Sequence, residues 1–258
     1  MEHTVLVTGA TAGFGEATAR RFLAHGHQVI ALGRRVERLE ALKASVPAEQ
    51  QKKLLTLAVD VCDSAKVDDL AATLPAEFAN VTVLVNNAGL ALGLELAHKA
   101  FLSDWDRMID TNIKGLVHMT RAFLPGMVER NVGHVINIGS VAGSYAYPGS
   151  NVYGSTKAFV NQFSLNLRAD LAATRVRVSC IEPGLSSGTE YSNIRFKGDD
   201  AKVEKVYEGV QALSPDDIAE AIFWTATLPT HVNVNVMELM PVQQSFGGTA
   251  IHRTSLKA

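Results

Sequence analysis

The chain of 258 residues carries 24 Lys and Arg against 26 Asp and Glu, for a net charge of −2, and 47% of it is hydrophobic. With a pI near 6.4 and a mean hydropathy of +0.09, it lacks both the basic footprint of a nucleic-acid binder and the polarity of a disordered chain. No apolar run approaches the length of a membrane span. Cys62 and Cys180 stand in or beside apolar stretches, so neither a disulfide framework nor a metal site is expected, only small buried hydrophobes.

The first run, TVLVTG from Thr4, starts without a basic leader, which predicts a cytoplasmic protein. It reads as a strand and leads into GEATARRFLAHG, an amphipathic helix. Gly9, Gly13 and Gly15 fall in the turn between them. Glycines there permit a tight turn and close backbone approach, and the helix start offers free N–H groups to a pyrophosphate.

QVIALG is the second strand, followed by the helical VERLEALKAS. An NAD site usually places an acidic residue at this strand's end to hold the ribose 2′-hydroxyl. No acidic residue occurs between Glu16 and Glu37, and Arg34 and Arg35 stand in that place. Guanidinium forks match a 2′-phosphate in charge and shape, so the reading is NADP. The third strand, LLTLAVD, ends at Asp60 and Val61, which are expected beside the adenine. Asp63 or Ser64 is the better cap for the helix that follows. The fourth strand, VTVLVNN, delivers Asn86, Asn87, Ala88 and Gly89 to the carboxyl-end crevice where ligands bind in this architecture.

A long amphipathic stretch from Ser103 to Arg130 holds Asn112. Asparagine is disfavoured inside a helix unless it meets a partner or bends the helix, and Asn112 could hold a water next to Lys157. The fifth strand, GHVINIGS, ends at Ser140, and NVYGSTKAFV then opens a helix. Tyr153 and Lys157 are four apart and share one face. An ammonium beside a phenol stabilises phenolate and lowers its pKa, so Tyr153 could take a proton from an alcohol or give one to a carbonyl. Ser140 can hydrogen-bond the same substrate oxygen. Tyr145 and Tyr147 have no lysine four residues on and are expected as pocket wall. Asn151, Gly154 and Ser155 are expected to open space beside the cofactor.

VRVSCIEPG is the sixth strand and VNVMELMPV the seventh, with the helical SPDDIAEAIFWTATL between them. These apolar runs, rich in Val, Ile and Leu on both faces, suit a buried, mostly parallel sheet of about seven strands with helices on both sides. No linker, repeat or low-complexity tract divides residues 1–258, which read as one domain. A polar, glycine-dotted excursion over 184–209 reads as a substrate lid. A substrate carboxylate would need a cation, and Arg195 and Lys197 lie in this segment.

TGATAGFG, NNAG, Asn112, Ser140, YGSTK and EPG stand in an order and spacing that resembles the short-chain dehydrogenase/reductase family over nearly the whole chain. The resemblance implies a single doubly wound α/β domain of Rossmann type. It implies Tyr153 as catalytic acid/base, Ser140 as substrate-orienting, Lys157 on the nicotinamide ribose, and Asn112 in a proton relay. It extends the cofactor contacts to Thr11, Ala12 and Phe14 in the glycine turn, and to Pro183, Gly184, Leu185, Ser186 and Thr189 after the sixth strand. Thr189 stands six residues after Pro183, one further than in many members. GLALG, MIDTN, LPGMVERN, RFKGDD and MPVQQS resemble bacterial members that use NADP on small 3-hydroxy acids such as serine, L-allo-threonine and 3-hydroxypropionate. Those relatives are homotetramers. The rival readings are a broad carbonyl or 3-oxoacyl reductase, a non-catalytic NADP-binding protein and a methyltransferase. The intact Ser140, Tyr153 and Lys157 set weighs against the second, and the arginines after the second strand weigh against the third.

Overall fold

The computed structural model describes residues 2–246. Seven strands, β1 (Thr4–Thr8), β2 (Gln28–Gly33), β3 (Leu54–Ala58), β4 (Val83–Asn86), β5 (Gly133–Ile138), β6 (Val176–Pro183) and β7 (Val236–Leu239), form one sheet in the order β3-β2-β1-β4-β5-β6-β7. Every neighbouring pair is parallel. The connections hold α1 (Gly13–Ala24), α2 (Val36–Ser45), α3 (Ala48–Gln51), α4 (Ser64–Thr73), α5 (Leu102–Ile109), α6 (Leu116–Glu129), α7 (Asn151–Asp170), α8 (Tyr191–Arg195), α9 (Asp200–Tyr207) and α10 (Pro215–Thr227).

Successive side chains of a strand face opposite sides of the sheet, and the two cores follow that period. Val5, Val7, Val29, Ala31, Val83 and Val85 pack with Phe22 of α1, Leu39 of α2 and Ile218 of α10. Leu6, Ile30, Leu32 and Leu84 pack on the other face with Val67 of α4, Met119 of α6 and Leu167 of α7. The inner strands are buried on both faces, as their composition implied. The edge strands differ: β3 is mostly half-buried and β7 has no fully buried residue, because among the described residues each has a neighbouring strand on one side only.

Chain order reverses between β1 and β4, and their carboxyl ends diverge into the crevice that an open parallel sheet offers to ligands. Asp63 caps α4 through the Lys66 N–H. The stretch containing Asn112 is one continuous helical run from α5 to α6, widened to a π-turn over Asp110–Gly115. Such turns mark functional sites in many helices. The excursion after β6 is pinched at its base, where Ser187 N–H donates to the Leu213 carbonyl (2.9 Å) and Leu213 N–H to the Leu185 carbonyl (3.0 Å). It carries α8 and α9 and closes at Leu213, a few residues beyond the expected end. Cys180 is buried as expected, but Cys62 is exposed, because it lies past the end of β3 in a turn held by the Asp60 carboxylate.

Candidate active site

One cavity of about 690 Å³ runs along the carboxyl ends of the strands, from the glycine turn to Tyr153. At its near end Gly13 has a φ of +54°, and a Cβ there would stand 3.0 Å from the Thr189 methyl. A side chain would suffer both backbone strain and crowding. The N-terminus of α1 lines the cavity with Gly13 and Phe14 and has no side-chain cap, which leaves its first N–H groups for an anion. Thr11, Ala12 and Phe14 line this part with Gly9. Gly15 lies behind the lining, packed against the Gly9 carbonyl and the Asn87 amide. Asn87 braces the turn by donating to the Thr8 carbonyl (2.8 Å). Asn86, expected in the crevice, instead points into the core and donates to Thr120 and Asn137. Position alternates along a strand, so its neighbour faces the other way.

Arg34 and Arg35 both line the cavity past β2. Arg34 is 57% exposed and meets Asp60 at 3.6 Å. Asp60 uses its other oxygen to accept the Cys62 N–H. Arg35 donates to Thr11 Oγ1 (3.0 Å) and pairs with Glu190 at 2.8 Å. Val61, Ala88 and Gly89 complete the wall. The glycine cradle, the uncapped helix start and the two guanidinium groups fit a dinucleotide with a 2′-phosphate, in size as in charge.

At the far end α7 buries Tyr153 and Lys157 side by side in the cavity wall with Ser140. Ser140 is fixed at the end of β5, where its Oγ accepts from Ala142 N–H and donates to the Pro183 carbonyl. Burial raises the Tyr153 phenol above its usual range; the facing hydroxyls of Tyr191 and Ser140 and the charge of Arg195 pull the other way. The expected lowering by Lys157 is thus not what the structure shows. The Lys157 ammonium donates to the Ile138 carbonyl (2.7 Å), and burial brings its own pKa down to about 8. Phenolate loses more on desolvation here than Tyr191, Ser140 and the Arg195 charge return.

Asn112 lies behind the cavity lining. Its Oδ1 accepts from Leu90 N–H (2.9 Å), and its Nδ2 donates to the Leu90 carbonyl (2.9 Å) and to Thr156 Oγ1 (3.0 Å). This amide therefore has partners and sits in a widened turn, the two conditions expected of it. A Cβ at Gly89 would stand 3.3 Å from Asn112 Oδ1 and 3.5 Å from Lys157 Nζ, so both atoms face the same glycine. Asn151, Gly154 and Ser155 line no part of the cavity. Asn151 ties α7 to its surroundings, accepting from Trp105 Nε1 and donating to the Glu95 carbonyl.

Pro183, Gly184, Leu185, Ser186 and Thr189 line the cavity opposite the glycine turn. Arg195 folds over the Tyr153 ring, its guanidinium carbon 5.5 Å from the ring centre, and donates to Tyr147 Oη (3.0 Å) and to the Gly93 carbonyl (3.3 Å). Gly93 N–H donates back to the Arg195 carbonyl (3.0 Å). Among the described residues, no ion pair includes Arg195, although it is buried. Lys197, its expected rival, lies outside the cavity, paired with Asp104 at 2.8 Å. Tyr147 is pocket wall as expected, whereas Tyr145 turns to Glu238. Glu190, Tyr191 and Tyr207 also line the cavity and were not foreseen. Tyr191 and Arg195 are four apart on one helix, the same spacing that singled out Tyr153 and Lys157; Glu190 left no comparable signal.

The chain matches the short chain dehydrogenase family over residues 3–199 and belongs to it. It is 63% identical to the NADP-dependent 3-hydroxy acid dehydrogenase of Salmonella typhi over 250 residues, covering 97% of this chain and 99% of that one. It is 48% identical to the serine 3-dehydrogenase of Agrobacterium fabrum over 255 residues, 99% of this chain and 100% of the relative. Among solved structures, the closed form of a serine dehydrogenase complexed with NADP+ superposes with a TM-score of 0.94 at 61% identity, covering 97% and 99% of the two chains.

Proposed function

We propose that this protein transfers a hydride between NADP and the hydroxyl-bearing β-carbon of small 3-hydroxy acids, with L-serine, L-allo-threonine and 3-hydroxypropionate as substrates. The cofactor supplies the hydride acceptor for oxidation and the hydride donor for reduction. Gly9, Gly13 and the start of α1 would hold its pyrophosphate, Arg34 and Arg35 its 2′-phosphate, Asp60 and Val61 its adenine. Asn87, Ala88, Gly89 and the segment from Pro183 to Thr189 would hold the remainder.

Tyr153 takes the substrate hydroxyl proton during oxidation and returns it during reduction. Ser140 hydrogen-bonds the same oxygen and fixes its distance from the phenol. Lys157 would bind the nicotinamide ribose and pass the proton to solvent by way of a water held near Asn112, whose amide is not itself the acceptor. With its pKa raised, Tyr153 is protonated at neutral pH, the form that serves carbonyl reduction. Oxidation needs the phenolate and is therefore favoured by higher pH.

The observation that carries the substrate class is Arg195, a buried cation over the Tyr153 ring with no carboxylate partner among the described residues. A buried charge is costly unless an opposite charge meets it, and a substrate carboxylate beside the reacting hydroxyl meets that need. Arg195→Met should raise KM for 3-hydroxypropionate by roughly 30-fold or more, the scale of a lost buried charge pair. It should leave KM for the uncharged 1,3-propanediol within a few-fold. An unchanged KM for the acid would remove Arg195 from the substrate site.

We further propose that the excursion from Gly184 is the substrate lid of a single catalytic domain, and that the working form is a cytoplasmic homotetramer. Exposed Phe159 and Leu165 on α7, and Trp224 on α10 with Val236 on the edge strand β7, support two separate apolar contact faces. Light scattering should return the mass of four 27.7 kDa chains; a monomer would contradict it.

A further inference from the structure

Glu190 stands where a second anion is least expected. Its carboxylate pairs with Arg35 at 2.8 Å and with Arg38 at 3.5 Å. Arg35 Nη1 is on Glu190 and its Nη2 is on Thr11, by way of the side-chain oxygen at 3.0 Å and the carbonyl at 3.4 Å. Both terminal nitrogens of Arg35, one of the two arginines proposed for the 2′-phosphate, are thus already engaged, one of them by a carboxylate of the protein itself. Among the described residues Arg34 is paired only with the more distant Asp60. Glu190 is also the residue that opens α8, whose Tyr191 and Arg195 reach Tyr153. On the other side of Glu190, Thr189 packs against Gly13 of the phosphate turn.

From this arrangement we infer that Glu190 is an internal competitor of the cofactor 2′-phosphate for Arg35 and Arg38. It is a specificity-determining residue that connects the recognition of that phosphate to the seating of the lid. Like charges sharing one guanidinium pair repel, and each holds donors that the other needs. A ligand with a 2′-phosphate must therefore draw Arg35 from Glu190 and loosen the start of α8. A ligand without one leaves the pair intact. The inference rests on the NADP reading above and adds to it a residue from the far side of the chain.

Calorimetric titration of the full-length protein with 2′,5′-ADP and with 5′-AMP tests it without recourse to turnover. Glu190→Gln should bind 2′,5′-ADP roughly two- to five-fold more tightly than the wild type, the scale of a half-exposed ion pair, and 5′-AMP equally well. The gain should vanish in the Arg35→Gln, Glu190→Gln double variant and shrink as salt is raised. In the wild type, the backbone amides of residues 191–195 should exchange hydrogen faster with 2′,5′-ADP bound than with 5′-AMP. Unchanged or weaker 2′,5′-ADP binding by Glu190→Gln, equal tightening of both ligands, or no difference in exchange would overturn the inference. If the wild type binds 2′,5′-ADP no better than 5′-AMP, the NADP reading itself fails and the competition falls with it.

Discussion

Lys157 carries its charge at a cost in stability. A buried lysine whose pKa lies at about 8 binds its proton less tightly folded than unfolded, where the value is near 10.4. Folding therefore releases protons between about pH 8 and 10, and stability rises with pH across that window. Below pH 8 the full penalty applies, on the order of 3 kcal/mol, while a methionine there would leave the Ile138 carbonyl without its donor, at about 1 kcal/mol. Lys157→Met should thus be more stable than the wild type by roughly 2 kcal/mol at pH 7, with the gap closing by pH 10, while turnover falls. Urea unfolding at the two pH values measures this, and a less stable Lys157→Met at pH 7 would contradict it. Lys157 was visible in the sequence through its spacing from Tyr153. The balance between burial and charge was not, because desolvation depends on what α7, β5 and the excursion after β6 together exclude from water.

Among the elements, the π-turn at Asp110–Gly115 does most to shape the site from behind. It brings Asn112 to the backbone of Leu90, a residue of the cavity wall, with three hydrogen bonds inside the core. Asn112→Ala should destabilise the protein by about 2–4 kcal/mol, because it strands the buried N–H and carbonyl of Leu90. Thermal or urea unfolding reads the loss, and a cost under about 0.5 kcal/mol, that of an ordinary surface change, would show the clamp to be idle. A polar residue inside an apolar helical pattern gave the sequence-level clue to this clamp. The excursion after β6 was less legible. Its polarity marked an excursion after β6, but polarity carries no information on contacts across the chain. The Ser187–Leu213 neck, the Gly93–Arg195 clasp and the Arg35–Glu190 pair join residues far apart in sequence, with no periodicity to announce them. The sheet was the most legible part, since strand length, apolar composition and the alternating helices all point to the same parallel order. The half-exposed edges β3 and β7 escaped notice because their composition resembles that of the inner strands.

At the scale of the molecule, the cavity has two chemically distinct ends joined by the switch between β1 and β4. One end gathers glycines, a helix start and arginines, and the other gathers Ser140, Tyr153, Lys157 and Arg195; we propose the first for the cofactor phosphates and the second for a hydroxyl next to a carboxylate. Steady-state rates with 3-hydroxypropionate and with L-serine, each with NADP+ and NAD+, for the wild type and for Tyr153→Phe, test the whole arrangement most directly. The expected result is oxidation of both acids by the wild type with NADP+ favoured by at least about tenfold in kcat/KM, the scale of one charge-assisted hydrogen bond. Tyr153→Phe should lose turnover while still binding NADPH. Equal use of NAD+, no turnover of either acid, or substantial turnover by Tyr153→Phe would contradict it.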